Sequence, residues 1–134
     1  MSKRQGVKCK YVIDASALYP LIISGTSYDS GLFAVTSLTE YEIGNVLWKE
    51  DKKKKLKDAK SIAKIFSDAI SDFTKIGFES ISDVLTLATD RDLSFYDASY
   101  AYVAEKNALI LLTEDRHLLK KCKCAKSTNE VKDL

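Results

Sequence analysis

Four of the nineteen carboxylates in this 134-residue chain stand apart by position. Asp14 closes the apolar run Tyr11-Val-Ile, Asp115 follows Leu112 by three residues, and Glu42 and Asp97 fall early in helical segments. Singly, most have an ordinary explanation. Asp14 and Asp115 can each cap the helix that follows, and Ser94-Phe-Tyr-Asp97 has the form of a capping box, as does Ser80-Ile-Ser-Asp83. Ser37-Leu-Thr-Glu40 reads as another box, which gives Glu40 a capping role and leaves Glu42 without one. Glu42 shares a helix face with Asn45 and Lys49, beside the apolar Leu38, Tyr41, Val46 and Trp48. A carboxylate next to a buried face is costly unless it is paired or binds a cation. Four carboxylates in one pocket would raise one another's pKa. A hard divalent cation relieves that repulsion, and Mg²⁺ or Mn²⁺ takes oxygen ligands, few from protein and several from water.

Other chemistries find little support. His117 is the single histidine, which removes two-histidine acid–base mechanisms and H-E-x-x-H zinc sites, and it sits in a basic run that suggests a surface role. No G-x-S-x-G elbow, Walker loop or G-x-G-x-x-G occurs. Cys9, Cys122 and Cys124 make a poor disulfide framework, and Cys-x-Cys is not the usual zinc spacing; they read as thiols. The longest apolar stretch, Ala17 to Ile23, is far short of the roughly 20 residues of a membrane span. With no signal-peptide pattern at the N-terminus, a cytoplasmic location is the default expectation.

These acids need a scaffold, and the hydrophobic pattern supplies one. Cys9 to Asp14, Leu32 to Thr36 and Ala108 to Leu112 read as strands, the last with no polar partner, as in a parallel strand buried on both faces. Ala15 to Ser24 reads as a helix with Pro20 a kink or break, and Leu38 to about Asp51 as another. Ile62, Phe66, Ala69, Phe73 and Ile76 recur at helical spacing, with Gly77 as the stop. Val84 to Thr89, Phe95 to Lys106 and a short stretch from Arg116 also look helical. Strands alternating with helices predict one α/β domain over residues 1–134 with a mostly parallel sheet. In such sheets ligands bind beyond the carboxyl ends of the strands, where Asp14 and Asp115 lie.

With this order of segments the chain resembles the PIN-domain nuclease family, and within it the toxin group called VapC. The likeness rests on Tyr11-Val-Ile-Asp14-Ala-Ser16, Glu42-Ile-Gly-Asn45-Val-Leu47, Leu93-Ser-Phe-Tyr-Asp97-Ala98 with Ala101, and Leu111-Leu-Thr113-Glu-Asp115-Arg-His-Leu118. It implies a three-layer fold with a central, mostly parallel sheet between helices. It places the family's four acids at Asp14, Glu42, Asp97 and Asp115, as holders of Mg²⁺ or Mn²⁺. Glu40 competes for the second place, but the E-x-x-N spacing and the capping argument favour Glu42. Ser16, Asn45 and Thr113 match polar positions beside the acids. The implied activity is endoribonucleolytic hydrolysis of RNA by in-line attack of water, leaving a 5′-phosphate and a 3′-hydroxyl. The implied partners are an RNA substrate, a VapB-like antitoxin and a second copy of the chain in a homodimer. A housekeeping RNA-processing nuclease fits the same residues; a non-catalytic PIN-like binding module would be expected to have lost at least one acid. Tyr19, Tyr28, Trp48 and Tyr100 are candidates for base stacking or interfaces, with core packing the stronger reading for Trp48.

The near-neutral net charge of +2 argues at first against a nucleic-acid partner, but it is a cancellation. Lys3 to Lys10, Lys49 to Lys64 and Arg116 to Lys126 hold 17 of the 21 basic residues. The rest of the chain is strongly acidic and contains all four candidate ligands. Carboxylates for a cation and lysines for phosphates beyond it are what a nuclease needs, and binding of that kind weakens steeply with salt.

Overall fold

A computed structural model describes residues 9–134; most of the basic N-terminal run, up to Lys8, lies outside the described residues. Among the described residues five short strands, β1 (Tyr11–Ile13), β2 (Phe33–Val35), β3 (Thr74–Lys75), β4 (Ile110–Leu112) and β5 (Ala125–Lys126), form one sheet in the order β3-β2-β1-β4-β5. Every neighbouring pair is parallel, with Tyr11 opposite Phe33 on one side and Ile110 on the other. The helices are α1 (Ala15–Ile23), α2 (Ser37–Lys52), α3 (Ala59–Ser71), α4 (Ile81–Arg91), α5 (Phe95–Lys106) and α6 (Arg116–Lys121). This is the α/β, PIN-like three-layer architecture expected from the sequence.

The two-residue period of the strands sorts the core into two layers. Tyr11, Ile13, Phe33, Val35 and Leu112 pack on one face with Leu18 and Leu21 of α1, Ile43 and Leu47 of α2, and Phe66 and Ile70 of α3. Val12, Ala34 and Leu111 point the other way, onto Tyr100, Ala101 and Val103 of α5 and Leu118 of α6. A sheet covered on both faces explains why the strands are uninterrupted apolar triplets, all buried in β1 and β2. The chain runs from β1 outward to β2 and β3, then returns to place β4 on the other side of β1. That reversal opens a crevice at the carboxyl ends of β1 and β4, the usual ligand position in an open parallel sheet.

Several local expectations are corrected. The N-cap of α2 is Thr36, not Ser37, and its box partner is Thr39, not Glu40: Thr36 N–H donates to Thr39 Oγ1 at 3.2 Å while the Thr36 side chain accepts from the start of the helix. The helix thus begins one residue before Leu38. The stripe through α3 stops short, because the helix ends at Ser71 and Phe73 is followed by β3, a strand too brief and too exposed to show a pattern. Phe73 still packs in the α3 layer, whereas Ile76 belongs to the opposite one. Pro20 lies inside α1 without ending it. Trp48 is 57% exposed, not core, while Tyr100 is buried and unavailable for stacking. Tyr19 and Tyr28 are half-buried, Tyr19 stacked on Phe66 and Tyr28 edge-on to Phe33. Among the described residues no helix is long and apolar enough to cross a membrane, and the three cysteines form no disulfide.

Candidate active site

Asp14 leaves the end of β1 and becomes the N-cap of α1, its Oδ1 accepting from Ala17 N–H at 3.2 Å. The cap also fixes the carboxylate at the mouth of the crevice. Ser16 Oγ donates to Asp14 Oδ1 at 2.6 Å, lies 3.2 Å from Thr113 Oγ1, and accepts from Glu114 N–H at 2.9 Å. Thr113 Oγ1 accepts in turn from Asp115 N–H at 3.0 Å. Asp115 caps α6, accepting from His117 and Leu118 N–H groups. One chain of hydroxyl and backbone bonds therefore ties the acid after β1 to the acid after β4, and the two small hydroxyl residues are its links. Asp14 and Asp115 are both helix caps, as expected, and each cap orients its own side chain.

The other two acids come from the helices that flank the crevice. Glu42 lies on α2 and Asp97 in the first turn of α5. Ser94 Oγ accepts from Asp97 N–H at 3.1 Å, which starts α5 at the right place to present Asp97. A cavity of about 240 Å³ is lined by Asp14, Ser16, Glu42, Asn45, Asp97, Tyr100 and Asp115, among others. All four sequence-derived acids, Ser16 and Asn45 thus reach one cavity, with Thr113 directly behind Ser16. Glu40 is exposed and does not line it. Of the two, Glu42 is the one that lines the cavity, although the capping box that argued for it belongs to Thr36 and Thr39.

Electrostatics mark the cavity as costly. Asp14 is only 5% exposed, and burial pushes its carboxyl above the usual range against the hydrogen bonds from Ser16, Thr113 and Ala17. Burial also raises Glu42, with the charges of Asp14 and Asp97 adding to it, and raises Asp97, with the charge of Asp115 adding. Among the described residues no lysine or arginine lines the cavity. The donors are all oxygen, so the set fits a hard divalent cation, which would offset a burial cost that the hydrogen bonds from Ser16, Thr113 and Tyr100 offset only in part. Among the described residues no three His, Cys, Asp or Glu side chains are grouped as a metal cluster. The four acids line one cavity open to solvent but are not drawn together around a common point, so a cation there would have to complete its shell with waters.

Sequence reasoning missed the groups behind Glu42. Tyr100 OH donates to Glu42 Oε1 at 2.8 Å and lies 2.9 Å from Thr39 Oγ1, which itself accepts from Thr36 N–H. Because an ionised carboxylate only accepts, the donor order runs from Thr36 N–H through the Thr39 and Tyr100 hydroxyls to Glu42. The available signal was spacing: Tyr100 is three residues after Asp97, so both reach the same side of α5. Glu114 was also missed. It accepts from Ser127 Oγ, Thr128 N–H and Thr128 Oγ1, which fastens the C-terminal segment beside the β4–α6 loop.

No protein-family model matches the chain. A Pyrobaculum aerophilum protein named Exonuclease VapC9 is 41% identical over 121 residues, spanning 87% of this chain and 88% of its own length. Ribonuclease VapC3 of the same organism is 30% identical over 124 residues, spanning 84% of this chain and 94% of itself. The crystal structure of PAE2754 from Pyrobaculum aerophilum superposes with a TM-score of 0.83 at 39% identity, covering 91% of this chain and 92% of that one. A toxin–antitoxin complex from Klebsiella pneumoniae shares the fold at a TM-score of 0.62 and 16% identity, over 88% and 97% of the two chains. Sequence relationship over most of both lengths and a shared fold agree: the chain belongs to the VapC group of the PIN-domain nuclease family.

Proposed function

We propose that this nuclease is a Mg²⁺- or Mn²⁺-dependent ribonuclease whose centre is the cavity lined by Asp14, Glu42, Asp97 and Asp115. The observation that carries the reading is the convergence of four carboxylates, after two strands and on two helices, on one cavity that no lysine or arginine among the described residues lines. A bound cation would supply an acidified water and charge neutralisation at the scissile phosphate. Asp14, Glu42 and Asp97 are its proposed holders, and Asp115 completes the set or orients water. Ser16 and Thr113 hold Asp14 and Asp115 in fixed relative positions, while Tyr100 steadies Glu42 and favours its ionised form. Asn45 offers an amide to the substrate at the cavity rim. The exposed lysines Lys52 to Lys55, at the far end of the helix that carries Glu42 and in the loop beyond it, would attract phosphates away from the acid centre by charge.

The test is cleavage of single-stranded RNA by purified protein stripped of metal and then resupplied, with the product ends mapped. Hydrolysis by water leaves 5′-phosphates. The name of the 41%-identical relative favours an exonucleolytic alternative to internal cleavage; a circular RNA, cut only by an endonuclease, separates the two. The antitoxin partner and the homodimer belong to the same proposal. The fold shared with a chain of a toxin–antitoxin complex supports the first. Growth arrest on expression distinguishes a toxin from a housekeeping nuclease.

Tyr100→Phe tests the relay behind Glu42. The substitution keeps the ring in its buried place and removes the donor, so Glu42 loses the hydrogen bond that holds its pKa down. The acid limb of the pH–rate profile is expected to move to higher pH, and stability to fall by about 1 kcal/mol for the lost bond. An unmoved acid limb would mean that Tyr100 only packs.

A further inference from the structure

We propose that Tyr41 and Tyr96 form a nucleobase-binding subsite next to the acid cavity, a reading that rests on the nuclease proposal and adds to it where the base beside the cut bond goes. Both rings are exposed although large and apolar, Tyr41 at 80% and Tyr96 at 62%. They stand on different helices, α2 and α5, yet line one open cavity of about 650 Å³ together with Leu38, Asn45 and Ser94. Glu42 and Asp97 line this cavity as well, and with Asn45 they are common to it and the acid cavity. A phosphate at the acids therefore has its neighbouring nucleoside directed into a recess with aromatic rings and an apolar side chain, Leu38.

The chain arranges this by local spacing. Tyr41 immediately precedes Glu42 and Tyr96 immediately precedes Asp97, so each helix that delivers an acid to the centre delivers a tyrosine to its flank. No core contact accounts for either ring; neither belongs to the packed clusters among the described residues. Aromatic faces accept any base by stacking, while the Asn45 amide, donor and acceptor at once, can meet a base edge or a ribose 2′-hydroxyl. A base held this way must be out of a duplex, which selects single-stranded or looped substrates. The occupant is a nucleobase and not a protein side chain, because the recess opens onto the carboxylates that would hold the scissile phosphate.

The experiment pairs protein and substrate changes. A short single-stranded RNA with one cleavage site is compared with the same RNA made abasic, one position at a time, on either side of the cut. With wild-type protein, loss of the base on one side is expected to lower kcat/KM about 10-fold, within the range found for one base–aromatic stack. With the Tyr41→Ala/Tyr96→Ala double variant, kcat/KM on intact RNA is expected to fall by a similar factor and the abasic penalty to vanish; Tyr→Phe at both positions should restore it. Trp48→Ala, an exposed aromatic outside the recess, should leave the penalty in place. An abasic penalty that persists in the double variant, or a double variant as active as wild type on intact RNA, overturns the subsite; the latter result together with lost binding of a partner protein would assign the rings to a protein interface. Absence of metal-dependent cleavage by wild-type protein would instead overturn the nuclease reading beneath it.

Discussion

Asp14→Asn is expected to lower RNA cleavage by at least about 10³-fold, because it removes a proposed charged ligand, and such a ligand contributes several kcal/mol to a metal-assisted hydrolysis. The same substitution is expected to raise the melting temperature of the metal-free protein at neutral pH. Asparagine keeps an oxygen for the Ala17 and Ser16 donors, so the α1 cap and the link to Thr113 survive. What disappears is a buried charge. Burial raises the native pKa of Asp14 above its unfolded value. The native state therefore holds the proton more tightly than the unfolded state does. The associated stability is fully present below the unfolded pKa and is lost as pH rises through the native one. At neutral pH the wild-type chain carries the cost of the ionised group and the variant does not. The gain should be a few degrees, about 2–6 °C for a domain of this size, and it should shrink at pH 4. The measurement is a pair of melting curves, wild type and variant, at pH 4 and pH 7.5 in EDTA. An Asp14→Asn protein destabilised at both would mean that the carboxylate serves the fold and not the site.

The second large effect is metal-linked stabilisation. Mg²⁺ or Mn²⁺ binding only to the native state raises its stability in proportion to the logarithm of saturation, about 2.7 kcal/mol at 100 times the dissociation constant. The carboxylates must be deprotonated to bind, and Asp14, Glu42 and Asp97 all resist deprotonation through burial. The rise in melting temperature on adding millimolar Mn²⁺ is therefore expected to be large at pH 7.5 and small at pH 5. It should be lost in Asp14→Asn. The cation thus acts against the destabilisation that ionisation brings, and the two predictions share one cause. An equal metal effect at both pH values, or one retained in the variant, would place the bound ion elsewhere on the acidic surface.

The core of this fold was legible because β1, β2 and β4 are buried on both faces and so lack polar residues, while the helices between them carry regular stripes. The edge strands β3 and β5 were not. Each has only two residues, and their pairing is fixed by main-chain register with Ala34–Val35 and Leu111–Leu112, which leaves no side-chain pattern. The start of α2 was misplaced by one residue because Ser37 and Thr36 are both good caps, and the choice was decided by Thr39, whose hydroxyl serves the box and the Tyr100 relay at once. That four acids would meet in one cavity was legible through order and spacing, since positions after parallel strands of one sheet share an edge whatever the chain does between them. Aromatic exposure could not be found that way. Trp48 lies on the same helix as buried Ile43 and Leu47 but on its outer face, and Tyr100 on a helix buried almost all round. A helix with so diffuse an apolar face gives the sequence no clear inside. The rings that do reach solvent beside the site, Tyr41 and Tyr96, are each adjacent to an acid, and neighbouring helix positions diverge by about a quarter turn.

The proposal stands or falls with the carboxylate-lined cavity as the metal-dependent centre of RNA hydrolysis. It is tested most directly by single-stranded RNA cleavage with metal-stripped wild type and Asp97→Asn purified side by side, each assayed in EDTA and after Mn²⁺ is restored. Neither protein is expected to cleave in EDTA, wild type alone is expected to recover when metal returns, and its products should carry 5′-phosphate ends. Cleavage by wild type in EDTA, or equal recovery by Asp97→Asn, would contradict it.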